Sequence, residues 1–213
     1  MSKASDQTLL EKVNWLREQI RLHNSPDEFS SKTGMTHSLE EDNQFFGFQY
    51  FNSNVKLSYP ELIAVGQETG IPLDVGSQAV ISYYGYMCLQ SEIDSVNNDW
   101  VSFSKLTDGM FYNQAFQGYT GDVLSKHANW IFENRNSIIS AYDAKTIEVG
   151  DISFHIKVLP KVSLALVIWL GDEDFPASCK ILFEKTVNLF LPTDACAILG
   201  SMFTQRILKM INR

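Results

Sequence analysis

Residues 152–176 read ISFHIKVLPKVSLALVIWLGDEDFP. Ile152, Phe154, Ile156 and Val158 alternate with Ser153, His155 and Lys157, the period of two that a β-strand shows when one of its faces is buried. Leu159-Pro160-Lys161 is a short connection, and Leu164 to Trp169 is continuously apolar, as expected of a central strand covered on both faces. The two segments pair as an antiparallel hairpin, and the run Gly171-Asp172-Glu173-Asp174-Phe175-Pro176 reverses the chain again. With Pro160 near the turn centre, His155 falls opposite Ala165 or Leu166. At the strand rise this leaves His155 roughly 15 Å short of Asp172, too far for a direct pair.

Toward the C-terminus, Ile181-Leu182-Phe183 is a third strand. Thr193 or Asp194 can N-cap a final helix carrying Ala197, Ile198, Met202, Ile207, Leu208 and Ile211. Toward the N-terminus, helices are expected over Asn113 to Phe132, divided by Gly118 and Gly121, and over Asn134 to Tyr142. Trp100 to Phe103 reads as a short extended piece, Leu106 to Gly109 as a turn, and the polar run Ser91 to Asp99 as a loop. Ser77 to Leu89 has the apolar spacing of a helix, preceded by the breakers Gly70, Pro72 and Gly76. Phe45 to Tyr59 suits two short strands in a hairpin that Pro60 ends.

Asn24 to Asn43, rich in Ser, Asp and Glu with Pro26 and Gly34 as breakers, reads as a loop or linker. Asp6 to His23 repeats apolar residues at three- and four-residue steps, the mark of an amphipathic helix. The fold class that follows is α+β: a small, mostly antiparallel sheet with packed helices in a single domain. An N-terminal helix and polar linker occupy 1–44, and the core domain 45–213.

The chain has 213 residues, 45% of them hydrophobic and 20% charged, which is enough to bury a sizeable core. Seventeen Lys and Arg against 25 Asp and Glu leave a net charge of −8, so a broad phosphate-backbone contact would work against the protein's own field. Nucleic acid is not an expected partner. Cys88, Cys179 and Cys196 are widely spaced, odd in number and lack a CxxC pair, which writes neither a disulfide framework nor a metal ligand set. A reducing compartment, the cytoplasm, is the expected location. The polar start and the short apolar runs predict neither a signal peptide nor a membrane span.

Two groups of residues invite a functional reading. The acidic turn Asp172-Glu173-Asp174 could coordinate a hard cation or hold a proton-transfer group, or simply cap a turn by accepting backbone N–H bonds. No HExxH, DxDxDG or paired histidines accompany it, and His23, His37, His127 and His155 share no ligand spacing. The aromatic set Trp100, Phe103, Phe111, Tyr112, Phe116 and Tyr119 could line a pocket for a flat apolar ligand, or fill the core. No GxSxG, P-loop or dinucleotide fingerprint is present.

Leu159-Pro160, Leu164 to Trp169, GDEDFP at 171–176, Ile181-Leu182-Phe183 and Leu191-Pro192-Thr193-Asp194 together resemble the C-terminal signature of the domain-of-unknown-function 3786 family. Trp100 to Phe116, WVSFSKLTDGMFYNQAF, resembles the same family's middle segment. The resemblance runs over roughly residues 45 to 210 in one order. It implies no assigned activity. Relatives that carry an added cysteine-rich iron–sulfur segment make redox, corrinoid or other tetrapyrrole-linked work the implied setting. This chain has no cysteine before Cys88, so an intrinsic cluster does not carry over. Phe183-Glu184 stands where relatives commonly have Phe-Asp.

The leading expectation is a non-catalytic accessory or ligand-binding protein, linked to tetrapyrrole, corrinoid or redox cofactor metabolism. Its ligand-binding residues would be Trp100, Phe103, Phe111, Tyr112 and Phe116, with Asp172, Glu173, Asp174 and Phe175 at the rim. Its partner would be a small apolar ligand or a protein; the sequence names no cofactor or metal. One alternative is a metal-assisted enzyme that uses Asp172, Glu173 and Asp174 with His127 or His155. The other is a protein-interaction module, which should expose an apolar patch.

Overall fold

A computed structural model describes residues 3–23, 25–41, 43–92 and 99–212. In chain order the helices and strands are α1 (Lys3–His23), α2 (Pro26–Thr33), β1 (Thr36–Glu40), β2 (Asn43–Tyr50), β3 (Ser53–Tyr59), β4 (Ala64–Gly66), α3 (Val75–Gln90) and β5 (Trp100–Ser102). They continue with α4 (Gly109–Tyr119), α5 (Gly121–Ser125), α6 (Ala128–Glu133), α7 (Arg135–Tyr142), β6 (Lys145–Thr146), β7 (Ile152–Leu159), β8 (Val162–Trp169), β9 (Ser178–Glu184) and α8 (Thr193–Ile211). Short 3-10 turns occupy Phe103–Lys105 and Val187–Leu189.

The α+β class holds, with two antiparallel sheets where one was expected. One runs β1-β2-β3-β4 and the other β5-β9-β8-β7-β6. The β7–β8 hairpin has the expected register, with His155 opposite Ala165, and a bulge between Lys157 and Leu159. Every residue of β8 except Trp169 is buried, so its unbroken apolar run does mark a strand covered on both faces. The acidic run returns the chain to β9, which pairs with β8 from Leu164–Phe183 to Trp169–Ser178.

The expected β2–β3 hairpin also forms. Its two turn residues, Phe51 and Asn52, have φ of 51° and 59°, the left-handed pair that fits a two-residue turn to strand twist. Phe51 is buried, and its N–H donates to the Val158 carbonyl at 3.3 Å, which ties the first sheet to the second. α3 is buried along most of its length and packs against α1, α2 and α8. A single apolar core follows, running from Phe29, Phe46 and Tyr84 through Phe154 and Phe183 to Leu199 and Phe203. Among the described residues no helix is long and apolar enough to cross a membrane.

Three local expectations are corrected. The supposed linker over residues 24–43 contains α2 and β1. Ser25 caps α2 by accepting the Glu28 N–H at 3.2 Å, Pro26 opens the helix, and Gly34 closes it at φ 69°. β1 then pairs with β2, and Phe29 enters the core, so the segment is part of the fold. The long helix expected over 113–132 starts earlier, at Gly109, and is broken at Thr120 and again at residues 126–127. The cap of α8 is Pro192 rather than Thr193 or Asp194. The Thr193 hydroxyl donates instead to the Thr107 carbonyl at 2.6 Å. Of the loop expected over 91–99, residues 93–98 lie outside the described residues.

Candidate functional site

The start of α4 is fixed by a glycine. A Cβ on Gly109 would stand 2.0 Å from the Phe103 carbonyl oxygen, so only the bare backbone fits there. Asp108 before it has φ 59°, and Thr107 is held on both sides: its N–H donates to Asn188 Oδ1 at 3.0 Å and its carbonyl accepts from Thr193. Asn188 Nδ2 in turn donates to the Leu191 carbonyl at 3.1 Å. These bonds set the first turn of α4 beside the first turn of α8. Between them opens a groove of about 630 Å³ lined by Met87, Thr107, Asp108, Phe111, Tyr112, Asn188, Pro192, Thr193 and Asp194.

Among the described residues its charged lining is two carboxylates, Asp108 and Asp194, with no cation. Asp194 also adds to the burial that raises the Tyr83 phenol above its ordinary range. Phe111 is 83% exposed, Tyr112 62% and Met110 65%, three consecutive large apolar side chains left in solvent.

The other aromatic candidates lie elsewhere. Phe103 and Phe116 are buried with their rings stacked at 4.1 Å and 9°, and both meet the ring of Phe183. Gly200 of α8 makes room for Phe116, since a Cβ there would lie 2.6 Å from its ring. These two phenylalanines serve the core. Tyr119, 41% exposed, meets Phe116 edge-on.

Trp100 belongs to the opposite face of the second sheet. It pairs with Glu184, yet its ring lies 5.5 Å from that of His155 on β7. β5 and β7 are three strand positions apart, about 14 Å at the usual spacing, so the indole lies across β9 and β8.

That face carries a residue that the sequence reading named only as a departure from relatives and not as a site candidate. Glu184 is only 3% exposed, and its Oε2 accepts the Ser163 N–H at 3.0 Å. Burial pushes its carboxyl up to about 7, against the opposing pull of the Ser163 bond and Lys157. His155 is pushed the other way, below its ordinary value, by burial and then by Lys145. Its Nδ1 is buried with no hydrogen-bond partner among the described residues. The available signal for Glu184 was its place two residues beyond Leu182 on a strand, with Phe183 facing the core.

The acidic turn is engaged with itself. Asp172 Oδ1 accepts the N–H groups of Asp174 at 2.9 Å and Phe175 at 2.8 Å, and the Asp172 N–H donates to the Phe175 carbonyl at 2.9 Å. This is the turn-capping use of an aspartate. Phe175 is 72% exposed. None of residues 172–175 lines the groove; the neighbouring Gly171 and Ala177 border a separate hollow of about 330 Å³ with residues 125–130, His127 among them. Among the described residues no group of three or more His, Cys, Asp and Glu side chains could hold a metal ion. The three cysteines are buried and none is in a disulfide, and burial raises the Cys179 and Cys196 thiols far above their ordinary value.

The model of a family described as a domain of unknown function (DUF3786) matches residues 25–206. No curated protein and no solved structure matches the chain.

Proposed function

The chain belongs to the DUF3786 family, and we propose that it is a non-catalytic accessory protein that binds an apolar group in the groove between α4 and α8. The observation that carries this reading is the solvent exposure of Phe111 and Tyr112 at the lip of that groove. Large apolar side chains left adjacent in solvent are a recurrent mark of binding surfaces. Catalysis finds little to work with there. The Thr193 hydroxyl is committed to a backbone carbonyl, and the groove lining includes no histidine, cysteine or lysine. The metal-assisted alternative at Asp172, Glu173 and Asp174 gains no support: Asp172 Oδ1 caps its own turn, and among the described residues no three such side chains are grouped to hold a metal ion.

Within this reading the occupant is a flat apolar ligand, with a tetrapyrrole or corrinoid as the implied class, or an apolar segment of a partner protein. Met110 lies outside the groove lining yet is as exposed as Tyr112, which favours the partner segment: an enclosed small-molecule site would cover such side chains more fully. Three buried cysteines, none of them in a disulfide, support the cytoplasm as the working compartment.

The test is a titration of the purified chain with Nile red, hemin and cobinamide, repeated on the double variant Phe111→Ser/Tyr112→Ser. Both positions are exposed, so the variant should fold. Saturable binding that weakens at least about tenfold in the variant is expected, the loss of two aromatic contacts. Binding that is absent in the wild type, or unchanged in the variant, removes the groove as a small-molecule site.

A further inference from the structure

We propose that a second pocket, at the C-terminal end of α8, binds a small organic anion: a carboxylate or phosphate monoester carried on an apolar body. The pocket measures about 510 Å³, within the usual range for small-molecule sites. The β2–β3 turn, the end of α7 and the last turns of α8 enclose it. Asn52 Nδ2 donates to the Ala141 carbonyl at 3.1 Å and so pins the turn against α7 at the pocket's edge.

The chemistry comes from Arg206 and Lys209. The guanidinium of Arg206 lies over the ring of Phe51, 4.5 Å from its centroid. This packing covers one face of the guanidinium and leaves its in-plane N–H fork available for a carboxylate or phosphate. Among the described residues neither Arg206 nor Lys209 has a carboxylate within 4.0 Å, and neither makes a hydrogen bond to another side chain. Lys209 is three residues along the same helix and lines the same pocket. One carboxylate, Asp74, also borders it, but its two oxygens accept the N–H and hydroxyl of Ser77 and cap α3.

Two cations face one committed carboxylate, in a chain of net charge −8. The helix C-terminus adds about −0.5 of a charge, which two full positive charges outweigh. Phe51, Met202 and Met210 supply apolar lining, so an anion with a hydrocarbon or aromatic body fits better than a bare one. The site is independent of the groove, which borders the opposite end of α8.

Phenyl phosphate and octanoate are the probes, with inorganic phosphate and octanol as the separated halves. Backbone amide NMR at constant ionic strength gives affinity and place together. One of the two amphiphilic anions should bind saturably at millimolar concentrations or below, shifting Ser53, Ser201 and Arg206. Both halves should bind more weakly. Arg206→Gln should weaken binding about tenfold and the exposed Lys209→Gln about threefold, as expected for losing charge-assisted contacts. Phe111→Ser should leave this binding intact, which separates its fate from that of the groove. The proposal falls if neither amphiphilic anion binds, if the shifts map elsewhere, or if Lys209→Gln has no effect at all. Inorganic phosphate binding as tightly as phenyl phosphate would overturn the amphiphilic assignment.

Discussion

Glu184, paired across the sheet with Trp100, keeps its carboxyl group buried, and that burial has a pH signature. Its folded value of about 7 lies above the ordinary 4.5, so the folded chain holds a proton that the unfolded chain has released. The stability this gives is full below pH 4.5, declines as pH rises toward 7 and stays lost above it, about 2–3 kcal/mol in all. His155 acts in the opposite sense: its lowered value costs stability as pH falls below 6.5. Glu184→Gln keeps an oxygen for the Ser163 N–H and removes the acid. Chemical denaturation across pH 5 to 8 should show the variant more stable than wild type at the alkaline end, with the decline between pH 5 and 7 abolished; parallel profiles would refute the burial argument. The aromatic set does not gather in one place, and helix geometry gives the reason. Phe111 and Phe116 are five residues apart, about 140° around a helix, so they face different ways. Tyr112 shares the face of Phe116, one turn earlier, where Asn188 and Pro192 lie beside it rather than the core. Closeness in sequence therefore gathered residues that the fold distributes among a groove, a core and a sheet face.

Elements with a legible hydrophobic pattern were read with little error: α1, α8, the β2–β3 hairpin and the β7–β8 hairpin; α3, buried nearly all round, was read from its apolar content and the breakers before it. Residues 24–43 were misread because polar composition outweighed capping chemistry that was present, Ser25-Pro26 at one end of α2 and Gly34 at the other. The α4–α5 break was placed close to its true position, though Gly118 has no part in it. Thr120 turns its hydroxyl to the Phe116 carbonyl at 2.5 Å, and Gly121 lets the chain press onto β9. A Cβ at Gly121 would lie 2.2 Å from the Cys179 carbonyl oxygen and 2.0 Å from Gln117 Nε2, which itself donates to that carbonyl at 2.8 Å. Gly121→Ala should therefore cost about 2 kcal/mol or more in urea denaturation. Gly118→Ala meets nothing within 4 Å and should be stabilising by about 0.5–1 kcal/mol, as for any helical glycine with free space. Equal effects at the two positions would show that the α5–β9 contact is looser than described.

At the scale of the molecule, the single core built on both sheets and on α3 and α8 predicts one cooperative unfolding transition. Tryptophan emission, drawing on Trp100 and Trp169 on the second sheet, Trp15 on α1 and Trp130 on α6, should change in step with the far-UV circular dichroism signal of the helices. Two separated midpoints would mean that the core does not unfold as one unit. The α+β class was readable because strand and helix periods occupy different stretches of chain. The division into two sheets was not, since nothing local says that β2 and β7 meet through Phe51 and Val158. The strand lengths carry a last consequence. β4 and β5 have three residues each and β6 has two; only β1, with five, is a longer outer strand, and it ends on Glu40. Outer strands this short offer few consecutive ladder positions of their own, one of the ways a sheet blunts its edges against edge-to-edge aggregation. Recognition by strand addition is disfavoured for the same reason, which leaves side chains as the main surface through which the protein meets a partner.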